Sequence, residues 1–111
     1  MTLDEFLNRV RRWPNNAYVA EPGFKSLYVR DTVRFGEPCL DIANVETKKK
    51  GRGTFTALVR RLHATHSIYV ECVTSERFEA LLLRLGFTRV SDTGRGFPSY
   101  YLSSGDKSCT Q

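Results

Sequence analysis

The sequence has few cysteines and no long apolar run, and both absences exclude classes of protein. Its cysteines, at positions 39, 72 and 109, are an odd number whose spacing fits neither a zinc site nor a disulfide framework. We therefore expect reduced thiols that behave as small apolar side chains. No apolar stretch approaches the ~20 residues that a membrane-spanning helix needs, and the first residues lack the pattern of a signal peptide. These absences predict a cytoplasmic protein with no membrane segment.

Acidic residues are also scarce relative to basic ones. The chain has 17 Lys and Arg against 12 Asp and Glu, which gives a net charge of +5. A basic surplus indicates an anionic partner, such as a nucleic acid, a phosphate-bearing cofactor or an acidic protein. Sequence motifs typical of nucleic-acid-binding domains are absent, so a nucleic acid is the least favoured of these partners. The length of 111 residues predicts one domain over residues 1–103 and a flexible polar tail over residues 104–111.

The first residues predict a short amphipathic helix. Thr2 and Glu5 have the spacing of a capping box, in which each side chain binds the backbone N–H of the other residue. Apolar residues then recur at helical spacing, and Pro14 disfavours helix at the residue before it. We therefore expect a helix over residues 2–13.

The rest of the chain alternates between strand and helix patterns. The predicted strands cover residues 17–20, 24–33, 39–45, 67–73, 87–90 and 99–102, and the predicted helices cover residues 54–66 and 76–85. Alternation places Leu40, Ile42 and Asn44 on one side of their strand. A strand, a helix and a second strand in succession require parallel neighbours and a right-handed crossover. We expect an α/β (α+β) fold: a mixed, largely antiparallel central sheet with one parallel strand-helix-strand unit and flanking helices.

The segment Lys48-Lys49-Lys50-Gly51-Arg52-Gly53-Thr54 is the part of the sequence that most suggests chemistry. Glycines let a backbone approach a bulky anion, and the start of the following helix offers unpaired N–H groups. The segment matches neither the Walker loop nor the dinucleotide fingerprint. Two interpretations remain: a cradle for a pyrophosphate, or a solvated basic turn that caps a helix.

Residues 40–87 resemble the acetyl-CoA-binding half of the GCN5-related N-acetyltransferases (the GNAT superfamily). Those proteins carry a Gln/Arg-x-x-Gly-x-Gly/Ala loop after their fourth strand, where this chain has Lys48, Gly51 and Gly53. A helix, a strand and a second helix that ends in Leu-Gly-Phe follow in both, and here that tripeptide is at residues 85–87. Residues 42–57 are also similar to small phage-encoded members, a likeness that would place the protein in a host cytoplasm.

The resemblance implies an acetyl-CoA-dependent N-acetyltransferase that acts on an amine, with a protein as the expected acceptor. Its cofactor would lie in a V-shaped opening between the strand before the glycine loop and the strand after the next helix. The pantetheine arm would bind near residues 44–46, the pyrophosphate would bind the N–H groups of residues 49–54, and Ser75 would replace an Asn that contacts the arm. The implied cofactor-binding residues are Asn44, Val45, Lys48, Lys49, Lys50, Gly51, Arg52, Gly53, Thr54 and Ser75.

Acetyl transfer to an amine requires a group that accepts the proton of the amine. Glu46, at the end of the strand before the loop, is the first candidate, and Glu71 on the next strand is the second. Tyr101, or its neighbour Tyr100, could supply the acid that protonates the leaving thiolate. A backbone N–H near Val45 would stabilise the oxyanion.

Departures from the family pattern support an alternative function. Leu82 occupies the position where the family often has its acidic Tyr, and a Leu cannot donate a proton. The N-terminal part is also shorter than in the family. The alternative is therefore a catalytically degenerate protein that acts by binding a host or partner protein. His63 and His66 are typical of surface histidines, and the sequence predicts no metal site.

Overall fold

The structure, a computed structural model, describes residues 1–8, 15–49, 51–71, 73–90 and 97–104. These residues form a mixed six-stranded sheet and three helices, which confirms the predicted fold class. The elements are α1 (Leu3–Asn8), β1 (Asn16–Tyr18), β2 (Phe24–Arg34), β3 (Glu37–Thr47), α2 (Thr54–His63), β4 (Ser67–Val70), α3 (Glu76–Arg84), β5 (Thr88–Val90) and β6 (Ser99–Leu102). The strand order is β1-β2-β3-β4-β6-β5, in which β3 and β4 are the parallel pair. None of the described helices combines the length and apolar character that crossing a membrane requires.

Helix α1 begins with the predicted capping box. The N–H of Thr2 donates to Glu5 Oε1 at 2.8 Å, and the N–H of Glu5 donates to Thr2 Oγ1 at 3.1 Å. The bond from the Thr2 backbone lowers the pKa of the Glu5 carboxyl. The described helix ends at Asn8, and the rest of the predicted helix, residues 9–13, lies outside the described residues.

The hydrophobic core lies on one face of the sheet, where the apolar residues of the three helices meet. Alternate residues of β2, β3 and β4 point to this face, and residues from each helix join them in one cluster. From the strands come Leu27, Val29, Leu40, Ile42, Ile68, Val70 and Tyr100; from the helices come Leu3, Phe6, Phe55, Leu58, Val59, Leu62 and Leu82. This placement leaves the other face of the sheet to polar and aromatic side chains.

Five of the six strands differ from the predicted bounds, and in two of them the backbone beyond the strand has another partner. The first strand covers residues 16–18, not 17–20, since Ala20 instead forms a parallel bridge with Thr2. Strand β4 ends at Val70, before the predicted residue 73, and beyond it the N–H of Val73 donates to the carbonyl oxygen of Pro98 at 2.9 Å. The predicted tail begins at Ser104, whose N–H donates to Ser67 Oγ at 3.0 Å.

A β-bulge in β3 overturns the predicted side of Asn44. Ile42 pairs with Val29 and Asn44 pairs with Tyr28, so Ala43 is an extra residue in β3. The extra residue moves Asn44 off the face of Ile42, and Val45 packs against the core instead. Asn44 Nδ2 donates to Ser26 Oγ at 2.9 Å on the exposed side.

Cys39 behaves as the small apolar residue that the sequence predicts. Its side chain is 2% exposed, and burial raises the pKa of the thiol to about 12. A thiol with that pKa stays protonated and unreactive at neutral pH. Cys72 and Cys109 lie outside the described residues.

Candidate functional site

The glycine segment after β3 is a bend, not an extended strand. Gly51 and Gly53 have φ angles of 74° and 73°, which lie in the left-handed region that a glycine adopts without steric cost. Lys48, Lys49 and Arg52 are exposed along the bend. Lys50 lies outside the described residues. Glycine therefore occupies both described positions of the bend that have a positive φ angle.

Backbone N–H groups of this bend are available to an anion. Helix α2 begins at Thr54, and its N-cap residue Gly53 has no side chain that could satisfy the first N–H groups. Within the described part of the chain, the N–H groups of residues 51–56 have no hydrogen-bond acceptor. The N–H of Lys48, just before them, donates to the carbonyl oxygen of Gly23 at 2.8 Å. The bend therefore combines unpaired donors, a helix N-terminus and basic side chains.

Strands β3 and β4 separate just before the bend. Their pairing runs from Cys39 and Ser67 to Ile42 and Val70, and the N–H of Glu71 then donates to the carbonyl oxygen of Ile42 at 3.2 Å. Beyond this point β3 continues to Thr47 with β2 on its other side. Residues 43–47 thus have a sheet edge that no described strand covers. This edge includes Asn44 and Val45 and leads directly into the bend.

Glu71 lies where the two strands separate, and its environment differs from that of an ordinary surface carboxylate. Its side chain is 19% exposed, and burial raises the pKa of the carboxyl, a shift that the nearby charge of Arg30 partly opposes and the charge of Asp41 increases. Glu71 Oε2 is 3.1 Å from Arg30 Nη1, but without hydrogen-bond geometry. No described residue donates a hydrogen bond to this buried oxygen. The carboxylate can therefore accept a proton.

An ion pair between the buried Asp41 and the partly exposed Arg34 lies on the same face of the sheet. Asp41 is fully buried and accepts hydrogen bonds from Arg34 Nε at 3.0 Å and Arg34 Nη2 at 2.7 Å, and from Thr32 Oγ1 at 2.8 Å. These bonds raise the pKa of the Arg34 guanidinium, which lies 3.8 Å from the centre of the Tyr69 ring. The pair fixes the positions of β2, β3 and β4 below Glu71.

Glu46, the first predicted base, lies in a different environment. Its side chain is 61% exposed, and its Oε2 is 3.9 Å from Lys25 Nζ. This carboxylate faces water and a lysine, whereas that of Glu71 is largely buried. Glu71, the second candidate, is the one whose surroundings suit a general base.

Ser75 caps helix α3, as its position before the helix predicts. Its Oγ accepts a hydrogen bond from the N–H of Phe78 at 3.2 Å. The side chain is exposed, so capping leaves it accessible.

The two candidate tyrosines are both engaged. The Tyr101 hydroxyl donates to Glu37 Oε1 at the beginning of β3, the end of the strand opposite to the bend, and burial raises its pKa. Tyr100 is fully buried, its hydroxyl donates to Glu79 on α3, and burial raises its pKa to about 12. Leu82 is fully buried in the core.

Sequence reasoning missed the Asp41–Arg34 pair and the contact of Gly23 with the bend. One signal for the first was present, since Asp41 interrupts an otherwise apolar run and an isolated charge in a buried strand needs a partner. Gly23 appears in the sequence only as part of a turn, and its contact joins residues far apart in the chain.

Comparison of the chain with protein-family models, with curated proteins and with solved structures gave no match.

Proposed function

We propose that the protein binds acetyl-CoA and transfers its acetyl group to an amine of a protein acceptor. The observation that carries the proposal is the continuity of the uncovered edge of β3 with a glycine bend whose N–H groups have no described acceptor. The uncovered edge of β3 offers backbone amides, and the bend that follows offers N–H groups for an anion. This order suits a ligand in which an amide-bearing arm is joined to a diphosphate. The resemblance of residues 40–87 to acetyltransferases supports the same ligand.

In this proposal the diphosphate binds at the bend and the pantetheine arm runs along β3. The N–H groups of residues 51–56 donate to phosphate oxygens, and Lys48, Lys49 and Arg52 add charge. The arm forms hydrogen bonds with the backbone of residues 43–47, as an added strand would. The thioester then lies near the point where β3 and β4 separate, which is the location of Glu71.

Glu71 serves as the general base. It takes a proton from the attacking amine while the amine nitrogen forms a bond to the acetyl carbon. The carbon–sulfur bond then breaks, and the thiolate of CoA leaves and takes up the proton held by Glu71, directly or through a water molecule. The products are an acetylated amine and free CoA, and the carboxylate returns to its ionised state.

Calorimetric titration with acetyl-CoA tests the proposal. We expect the wild-type protein to bind, and we expect Gly53→Glu to abolish binding because it places a carboxylate where the diphosphate lies. Gly36→Glu is the matched control, because Gly36 also has a positive φ, of 80°, and no atoms within 4 Å of an added Cβ. An absence of binding by the wild type, or equal binding by both variants, would contradict the proposal.

A second candidate is a protein that binds the cofactor but does not turn it over. Two observations favour it: Tyr100 is fully buried, and the hydroxyl of Tyr101 is held by Glu37. Incubation with acetyl-CoA and a set of lysine and N-terminal amine peptides separates the two candidates. Tight binding of acetyl-CoA without any acetylated peptide in the mass spectrum would favour this second function.

A further inference from the structure

The turn between β1 and β2 contacts the glycine bend at both of its ends. The carbonyl oxygen of Gly23 accepts the N–H of Lys48 at 2.8 Å, at the start of the bend. A Cβ added to Gly23 would lie 2.7 Å from Thr54 Cγ2, at the end of the bend where α2 begins. Gly23 therefore lies between the end of β3, which precedes the bend, and the start of α2, which follows it.

The fit at Gly23 leaves no room for a larger residue. Non-bonded contacts under 3.0 Å essentially never occur for a Cβ, so a side chain here requires a shift of the Thr54 side chain, of the start of α2 or of the turn. The turn is also held in place from α2, since Arg61 Nη2 donates to Glu21 Oε2 at 2.8 Å. Displacement would therefore move the first turn of α2 relative to β3.

We propose that Gly23 is a positioning residue for the glycine bend, setting the distance between the end of β3 and the first N–H groups of α2. This inference rests on the proposed function for its ligand, a diphosphate, but it concerns a residue outside the bend. Gly23 acts through its missing side chain and its carbonyl oxygen, and it does not touch the ligand.

Four variants test the inference: Gly23→Ala, Thr54→Ser, the double variant with both changes, and Gly36→Ala. The Thr54→Ser change removes Cγ2, after which the nearest atoms to an alanine Cβ at position 23 are 3.6 and 3.8 Å away, an ordinary contact. Gly36→Ala is the control for backbone strain, because Gly36 has a φ of 80° against 88° for Gly23 and open space around it. The probe is CoA, and the measurement is its dissociation constant by calorimetry.

We expect Gly23→Ala to weaken CoA binding about tenfold or more, and the double variant to recover most of that loss. Gly36→Ala should bind CoA as the wild type does, and Thr54→Ser is the reference with which the double variant is compared. Recovery by a second substitution that removes the overlapping methyl group would show that the loss of binding comes from the contact between residues 23 and 54. Equal binding by Gly23→Ala and Gly36→Ala, or no recovery in the double variant, would overturn the inference.

Amide hydrogen exchange separates failure of this inference from failure of the proposed function. If the wild type binds no CoA, the proposed function fails, and the exchange rates of two hydrogen-bonded N–H groups then decide the inference: that of Lys48, which donates to Gly23, and that of Ala57, which donates to Gly53. Faster exchange in Gly23→Ala than in the double variant supports the positioning role. Identical rates in the two variants refute it.

Discussion

At the scale of single residues, Glu71 combines burial, an incomplete set of hydrogen bonds and a position at the separating strands. Its folded-state pKa is raised above the ordinary value, chiefly by burial. The ionised carboxylate is therefore disfavoured in the folded protein. A residue of this kind costs stability at neutral pH and is expected where function requires it.

We predict opposite effects of Glu71→Gln on activity and on stability. Acetyl transfer should fall about a hundredfold or more, because the variant cannot accept a proton. In the wild type, kcat/KM should rise as the pH increases through the raised pKa of Glu71, and this rise should be absent from the variant. Steady-state kinetics across a range of pH values measures both effects.

The stability change follows from the direction of the same shift. The pKa of the Glu71 carboxyl is higher in the folded protein than in the unfolded chain. Its contribution to stability is therefore fully present at pH values below the unfolded-state pKa. That contribution is lost as the pH rises through the folded-state pKa. Glu71→Gln should therefore melt at a higher temperature than the wild type at pH 8, with a smaller difference at pH 4. Glu46→Gln, at an exposed carboxylate, is the control and should change neither property. A lower melting temperature for Glu71→Gln at pH 8 would contradict this account.

Residue positions could be predicted from the sequence only where local spacing determines them. The capping box of Thr2 and Glu5 joins residues only three positions apart in the chain and was predictable. The side of Asn44 was not, because the bulge at Ala43 arises from the pairing of β3 with β2. The environments of Glu46 and Glu71 depend on distant residues in the same way.

At the scale of elements, helix α3 shows how one side chain can have two roles. Ser75 is its N-cap, through the bond from the N–H of Phe78, and it is also the residue expected to contact the pantetheine arm. The helix is only nine residues long, so its cap matters to its stability.

We predict that Ser75→Ala destabilises the protein by about 1 kcal/mol, the usual cost of a lost N-cap. Ser75→Asn should restore the stability, because Asn caps helices as well as Ser does. If Ser75 also contacts the arm, Ser75→Ala should weaken CoA binding and Ser75→Asn should restore it as well. Chemical denaturation and calorimetry measure the two effects separately, and unchanged binding in Ser75→Ala would limit the residue to capping.

The elements themselves were largely predictable, and their ends were less so. Apolar periodicity gave the type and order of the strands and helices, because each amphipathic segment must bury one face. The end of β4 at Val70 was not predictable, since it depends on contacts with distant residues, such as the hydrogen bond from the N–H of Val73 to the carbonyl oxygen of Pro98. The uncovered edge of β3 begins where its pairing with β4 ends, so the candidate site depends on a part of the fold that local patterns do not encode.

At the scale of the whole molecule, the net charge of +5 accompanies exposed basic residues around the bend. Exposed charges attract an anion through water, and added salt screens that attraction. Charge alone does not identify the ligand, which explains why the sequence left nucleic acids, phosphate-bearing cofactors and acidic proteins open as partners.

We predict that the affinity for CoA falls several-fold when NaCl is raised from about 50 mM to about 500 mM, as the screening length shortens. Replacing Lys48 and Lys49 by Gln should lower the affinity at low salt and flatten the salt dependence. Calorimetry at a series of salt concentrations measures the slope. A wild-type affinity that does not vary with salt would exclude a role for these lysines.

The sheet consists of two antiparallel triplets, each built from one continuous stretch of chain, β1 to β3 and β4 to β6. In the described residues, the triplets meet along the short pairing of β3 with β4, and the exposed lysines of the bend lie on the connection between them. Trypsin should accordingly nick the native protein there first, yielding two fragments that remain associated through the core. A cofactor bound at the bend would connect the two triplets and protect the connection between them from trypsin.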